Sequence, residues 1–162
     1  MADIVTLKND IEAVYNAYAD MLYRLALSYL QNAEDAQDAV QDVFVKYVSS
    51  PDIFKDEEHK KAWLIRVTVN RCNDMLRQKK VRIYVPLDEI SETVSKTEES
   101  SSDILKSLDK IPLKNRAAVI LHYLEGYSVE ETAAILKISV SAVKMRLKRG
   151  KEALRELIKE VE

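Results

Sequence analysis

Apolar residues recur at intervals of three and four along most of this chain, and this spacing is typical of amphipathic helices. In the first 30 residues they include Val14, Tyr18, Leu22 and Leu25. Asn32 is placed to cap the helix that follows. The pattern predicts an all-α protein, with helices over residues 5–30, 33–48, 56–80, 104–111 and 115–124 and two more helices near the C terminus.

The stretch from Tyr127 to Leu157 predicts those last two helices. Ser128 and Glu131 form a capping box, so we expect a helix to begin directly after Ser128. Residues 137–138 form a turn, and Ser139 caps the second helix. The second helix should turn its apolar side inward and carry cations on its outer side and flanks, namely Lys144, Arg146, Lys148, Arg149 and Lys151.

Two helices joined by a tight turn, the second of them basic, are typical of a helix-turn-helix. The major groove of DNA admits one α-helix, and cations on that helix can pair with phosphates or donate to guanine edges. The alternative is an ordinary helical hairpin with a solvated basic face. Five cations within eight residues, together with the capping box and the turn, favour DNA binding.

Composition narrows the class of protein further. The 162 residues include only 2 Gly and 3 Pro, which favours helices, and the net charge of −2 means that DNA binding must come from local patches. A single cysteine, Cys72, excludes an internal disulfide and is typical of a reducing cytoplasm. No zinc-ligand pattern, secretory signal or membrane-spanning apolar run is present, so we predict a cytoplasmic protein with no cofactor and no membrane insertion of its own.

The second predicted helix has an acidic face. Glu34 and Asp35 lie in its first turn, where the helix dipole favours acid, but Asp38 and Asp42 lie deeper, with Gln41 beside them. One interpretation is a docking face for a basic partner, and the other is a solvated face. A third is a carboxylate metal site, which needs ligands from another helix and has only His59 as an obvious candidate.

The third predicted helix is basic and aromatic. Cations beside aromatic rings can hold single-stranded nucleic acid through phosphate pairing and base stacking, although Trp63 fits a packing role at least as well. Acidic residues with Ser, Thr and Pro86 follow, as in a flexible linker. The sequence thus predicts two small helical domains, residues 1–82 and 103–162, joined by a linker over residues 83–102, with the helix-turn-helix in the C-terminal domain.

This order of segments resembles the extracytoplasmic-function (ECF) sigma factors of bacterial RNA polymerase. Three segments carry the resemblance. They are DAQDAVQDVF (35–44), WLIRVTVN (63–70), and LEGYSVEETA (124–133) followed by VKMRLKR (143–149).

The resemblance implies a specificity subunit without catalytic activity whose partners are core RNA polymerase, promoter DNA and an anti-sigma factor. The first domain would dock on the polymerase clamp through Asp38, Gln41 and Asp42. It would also melt the −10 element and hold a flipped base, using Phe54, Lys55, Trp63, Arg66, Asn70 and Arg77. The second domain would read the −35 element through His122, Tyr127, Ser128, Lys144, Met145, Arg146, Lys148 and Arg149.

Two positions depart from the family pattern. His122 replaces a frequent arginine, and Met145 replaces a small polar residue, so the −35 preference of relatives does not transfer directly. The competing interpretation of the whole chain is a free-standing helix-turn-helix regulator whose N-terminal helices dimerise or sense a ligand.

Overall fold

The computed structural model describes residues 4–50, 54–82, 108 and 110–161. Within these ranges the protein is helical and contains no strand, as predicted. The predicted linker over 83–102 and most of the predicted helix over 104–111 lie outside the described residues. The helices are α1 Ile4–Leu30, α2 Ala33–Ser49, α3 Glu57–Arg82, α4 Leu113–Val119, α5 Val129–Leu136 and α6 Val140–Val161, with a π-helical turn, Ile120–Leu124, after α4.

Helices α1, α2 and α3 pack against one another as a three-helix bundle. Gln31 adopts a left-handed conformation (φ 55°) that ends α1, and the Asn32 side chain accepts a hydrogen bond of 3.0 Å from the Asp35 N–H. The predicted cap at Asn32 is therefore confirmed. The bundle buries side chains from all three helices, including Leu22, Leu25, Tyr29, Val43, Leu64 and Ile65.

The C-terminal helices form the predicted helix-turn-helix. Ser128 Oγ accepts from the Glu131 N–H (3.0 Å), and Glu131 Oε1 accepts from the Ser128 N–H (3.1 Å), so the capping box is confirmed. Lys137 ends α5 in a left-handed conformation (φ 57°), and Ser139 Oγ caps α6 by accepting from the Ala142 N–H (3.0 Å). The sequence thus encoded both helix starts locally.

The predicted helix over 115–124 begins earlier and changes type. It starts at Leu113, directly after Pro112, and continues beyond Val119 as the π-helical turn. The backbone then closes through hydrogen bonds from Glu125 N–H to Ile120 O and from Tyr127 N–H to Leu121 O, each 3.0 Å. These wider bonds replace the α-helical pattern that side-chain spacing alone predicts.

Helix α6 approaches α4 closely at Gly150. This glycine is buried, and an added Cβ would lie 2.3 Å from Val119 Cγ2. A glycine inside a helix lowers helix stability relative to alanine, so its presence here is explained by the close helix crossing.

The two groups of helices also contact each other, since α3 packs against α5. Among the helices described, none is long and apolar enough to cross a bilayer.

Candidate protein and nucleic-acid interfaces

The acidic face predicted on α2 lies at the surface. Asp38, Gln41 and Asp42 are all exposed, and Asp42 Oδ2 accepts a hydrogen bond of 2.7 Å from Arg71 Nε on α3. The Asp42 side chain stays 49% exposed despite this ion pair. Asp38 and Gln41 therefore offer solvent-facing polar groups, while Asp42 is shared between the surface and the bundle.

Two apolar residues extend this face in a way that the sequence analysis missed. Val45 is 65% exposed and Val48 is 55% exposed, on the turns of α2 that follow Gln41. Tyr15 of α1 lies beside them, 52% exposed, and together they line a shallow depression of about 440 Å³. Val45 and Val48 fall outside the buried stripe of α2, which was the signal available in the sequence. A solvated helix face does not normally carry such residues together.

Four of the six residues predicted for the −10 element share one face of α3, while Phe54 and Lys55 precede this helix. Trp63, Arg66, Asn70 and Arg77 follow one another at intervals of three, four and seven residues, which keeps them on one side of a helix. Asn70 and Arg77 are exposed, while Trp63 and Arg66 are half-buried. The structure therefore brings these four predicted residues together in a row.

An aromatic cluster holds the start of α3. The Phe54 and Trp63 rings lie 5.5 Å apart at 67°, and both rings lie near Tyr47 of α2, at 6.0 and 6.3 Å. His59 Nδ1 accepts from the Lys55 N–H at 3.2 Å, so the imidazole is engaged in the local turn. The described part of the chain groups no three His, Cys, Asp or Glu side chains for a metal ion. Trp63 thus packs in the position where it supports the predicted Phe54–Lys55 segment.

Four of the predicted −35 residues lie on the open face of α6. Lys144, Met145, Lys148 and Arg149 are exposed, and Met145 reaches 55%. Arg146 is different, because it is half-buried on the flank of the helix.

The other three predicted −35 residues are engaged within the protein. His122 Nδ1 lies 2.7 Å from Tyr127 O, and since a carbonyl only accepts, this nitrogen carries the hydrogen. The Tyr127 hydroxyl donates to Met21 Sδ at 3.6 Å, and Lys61 Nζ lies 5.0 Å from the centre of its ring. The Ser128 hydroxyl belongs to the capping box. The structure therefore does not gather all eight predicted residues on one surface.

Comparison with known proteins decides the family. Residues 14–82 match the model of Sigma-70 region 2, and residues 101–154 match that of Sigma-70 region 4. The sigma factor SigV of Bacillus subtilis is 36% identical over 143 residues, covering 85% of this chain and 85% of SigV. The ECF sigma factor SigM of Mycobacterium tuberculosis is 30% identical over 149 residues, covering 91% of this chain and 76% of SigM. The chain belongs to the ECF sigma factors of RNA polymerase.

A solved structure supports the same assignment. The sigma factor RpoE of Bartonella quintana, in complex with the anti-sigma factor NepR, aligns with a TM-score of 0.73 and 26% identity over 93% of this chain and 97% of that one. The predicted family and the two-domain helical fold are thus confirmed, and a sigma factor is favoured over a free-standing regulator.

In this sigma factor, a cleft of about 660 Å³ separates the face of α3 from the second domain. Its polar lining includes Arg66, Asn70 and Arg77 from α3 and Lys114 and Arg146 from the second domain. No carboxylate is among the described residues that line it. The cleft therefore has an excess of cations, one of which, Arg77, pairs with Asp74 at 3.5 Å. Sequence patterns gave no sign that these residues would meet.

Proposed function

We propose that this sigma factor acts in the cytoplasm as a dissociable, non-catalytic subunit that directs core RNA polymerase to specific promoters and helps to open them. Residues 1–82 supply polymerase docking and −10 recognition, residues 103–162 supply −35 recognition, and residues 83–102 connect them. Family membership supports the general role, and the surfaces of α2, α3 and α6 support its division among the helices.

The observation that best supports polymerase docking is the composition of the exposed face of α2. Its N-terminal part carries Asp38, Gln41 and Asp42, and its C-terminal part carries Val45 and Val48. A protein partner with cations and an apolar surface side by side fits both parts. In a solvated face the apolar side chains of Val45 and Val48 would remain in contact with water, which is unfavourable. A docking role therefore explains the face better than solvation does.

We propose that the row on α3 captures the melted −10 strand. Arg66 and Arg77 supply charge for phosphates, and the Asn70 side chain supplies an amide for the edge of an extruded base. Phe54, braced by Trp63, offers a wall for that base, with Lys55 exposed beside it.

For the −35 element, we propose that α6 enters the major groove with its open face. Lys144, Lys148 and Arg149 reach phosphates and guanine edges, and Met145 provides an apolar contact for a thymine methyl group. Arg146 joins them from the flank of the helix. In this arrangement the DNA phosphate backbone passes near the start of the helix-turn-helix, at His122, Tyr127 and Ser128.

We also propose an anti-sigma factor as a regulatory partner. RpoE of Bartonella quintana, which shares this fold, was solved with its anti-sigma factor NepR. Pull-down with the purified sigma factor from cells of the source organism, followed by mass spectrometry, tests this proposal. Recovery of polymerase subunits without any further specific protein would contradict it.

A reconstituted transcription assay tests the main proposal. Core polymerase plus this protein should initiate at a cognate promoter, whereas core polymerase alone should not. The variant Asp38→Ala/Gln41→Ala should lose most of this activity and most of its affinity for core polymerase. The matched control is Asn16→Ala/Asp20→Ala, which removes one amide and one carboxylate from the exposed side of α1. Equal activity of the two variants would reject the docking face, and tight promoter binding without polymerase would point to a free-standing regulator.

A further inference from the structure

His122 lies in the π-helical turn, and its hydrogen bond determines which ring nitrogen carries a proton. The Tyr127 N–H donates to Leu121 O at 3.0 Å, and this wide turn brings Tyr127 O to 2.7 Å from His122 Nδ1. A carbonyl only accepts, so Nδ1 carries the hydrogen. In the neutral imidazole the other nitrogen, Nε2, is then an acceptor without a hydrogen.

The second ring nitrogen of His122 is available to a ligand. Nε2 makes no hydrogen bond to any residue that the structure describes. The described polar side-chain atoms that are buried without a partner belong to Asn73 and Asn115, so Nε2 reaches solvent. The imidazole also lies 4.8 Å from the Tyr123 ring at 70°. One hydrogen bond and one aromatic contact therefore hold the ring while Nε2 stays open.

A permanent cation contacts the same tyrosine. Lys151 Nζ of α6 lies 5.4 Å from the centre of the Tyr123 ring, which is an attractive cation–π distance. Tyr123 is 45% exposed, and Lys151 continues the row of Lys144 and Lys148 at intervals of four and three residues. The cationic face of α6 therefore extends to the π-helical turn, where His122 and Lys151 lie against one exposed ring.

The charges near His122 leave an imidazolium unpaired in the free protein. Charged side chains on the neighbouring segments are of both signs: Arg24 of α1, Lys61 of α3, Arg116 of α4, Glu125, Glu130 and Glu131 of α5, and Lys151 of α6. Glu125 already pairs with Arg24, and Glu131 belongs to the capping box. In the part of the chain that the structure describes, no carboxylate forms an ion pair with His122.

A DNA phosphate at this corner would meet acid as well as base. Glu130 is exposed in the first turn of α5, and hydrogen bonds from Ser128 lower the pKa of the Glu131 carboxyl, so both carboxylates are ionised near neutral pH. Carboxylates repel a phosphate. A neutral His122 cannot offset this repulsion, because its open nitrogen only accepts. An imidazolium donates from Nε2 and adds a positive charge.

We propose that His122 is a protonation-dependent phosphate contact at the edge of the −35 site: with Nδ1 fixed on Tyr127 O, Nε2 binds a DNA phosphate only as the imidazolium, next to the permanent contact of Lys151. The inference rests on the proposed −35 surface and deepens it. Histidine is the side chain whose charge ordinarily changes between about pH 5 and 8. Since DNA binds the protonated form better, binding takes up a proton, and affinity for the −35 element increases as pH falls.

Promoter binding at two pH values tests the proposal. Competition binding measures the affinity of the sigma factor, in complex with core polymerase, for duplex DNA that contains the −35 element. Between about pH 8 and about pH 5.5 the wild type should gain about tenfold more affinity than His122→Gln, which cannot be charged. His122→Arg carries a permanent cation and should bind tightly at both pH values. Histidines of the polymerase contribute equally to all three complexes, so the differences between them isolate His122.

The chain offers a matched control because it contains only 2 histidines. His59→Gln removes the other one, whose Nδ1 accepts from the Lys55 N–H in the turn before α3, and should retain the wild-type pH response. Lys151→Ala should weaken binding by a similar factor at both pH values, because its charge is permanent. Loss of the response in His59→Gln to the same extent as in His122→Gln would contradict the assignment.

Salt dependence separates a phosphate contact from an effect of protonation on the fold. One additional phosphate contact steepens the slope of log K against log salt concentration by about 0.9. The wild-type slope should steepen by this amount on going to low pH, and that of His122→Gln should not. A pH response without this steepening would overturn the proposal. Equal pH responses in the wild type and His122→Gln would also overturn it, while promoter binding and the proposed function stand. If the complex binds no promoter at either pH, the proposed function fails and this inference fails with it.

Discussion

Helices α3 and α6 both carry rows of cations, yet they present them to different surroundings. On α3, Arg66 and Arg77 line the cleft against the second domain. On α6, Lys148 and Arg149 point to solvent, whereas Arg146 turns toward the cleft. Equal charge density in the sequence thus gives two different surfaces, because the position of each cation relative to the buried side of its helix decides what it can reach.

The largest expected effect is on DNA binding by the exposed cations of α6. Lys148→Ala/Arg149→Ala should weaken binding of the polymerase complex to −35 DNA by about 100-fold, since each lost contact to a base or phosphate costs about 1–3 kcal/mol. Competition binding at several salt concentrations measures the loss and the salt slope. The control Lys110→Ala/Arg155→Ala also removes one lysine and one arginine from exposed positions of the second domain. Equal losses in both double variants would show that net charge alone controls affinity.

On α3 we expect a smaller and more selective effect. Asn70→Ala should slow promoter opening by about tenfold, the loss expected when a buried base edge loses its hydrogen-bond partner, while binding to the closed promoter changes little. Permanganate reactivity of unpaired thymines reports opening, and filter binding at low temperature reports the closed complex. Gln78→Ala removes an exposed amide elsewhere on α3 and serves as the control. A similar loss in both assays would contradict the assignment of Asn70 to strand capture.

Local features of this fold could be predicted from sequence. Asn32, Ser128 and Ser139 act on N–H groups three residues away, so their roles as caps depend only on neighbouring residues. The acidic and basic faces were also visible, because helical spacing places residues three and four apart on one side. Prediction succeeded where the cause lies within one or two turns of helix.

Features that depend on distant residues were missed. Arg116 is buried against carbonyls of Ile111 and Tyr29, and nothing near it in the sequence marks an arginine for burial. The exposed valines of α2 and the turn of Arg146 toward the cleft likewise depend on how separate helices pack. The interface between the domains was therefore beyond sequence reasoning, while the helices that form it were not.

The contrast between α3 and α6 extends to packing, since only α6 crosses its neighbour at a glycine. Gly150→Ala should gain about 1 kcal/mol from helix propensity but lose about 1–3 kcal/mol from overpacking against Val119, so we expect net destabilisation of the second domain. Amide hydrogen exchange of α4 and α6 measures the local stability. The double variant Gly150→Ala/Val119→Ala should recover part of it. Slower exchange in Gly150→Ala would mean that propensity outweighs the close contact.

The smallest expected effect is a dependence of the stability of the first domain on pH. Burial raises the pKa of Cys72 from 9.0 to about 12, and burial with a hydrogen bond to Glu57 raises that of Tyr18 from 10.0 to about 12. Between pH 9 and 12 the folded first domain therefore holds more protons than the unfolded chain, so its free energy of unfolding falls as pH rises.

The only tryptophan, Trp63, lies in this domain, so its fluorescence in urea titrations follows this loss of stability. Cys72→Ala should flatten the decline that begins near pH 9, because it removes the group that titrates first in the unfolded chain. An unchanged slope in that variant would mean that the thiol ionises as easily in the folded bundle as in water, which the complete burial of Cys72 on the inner side of α3 argues against.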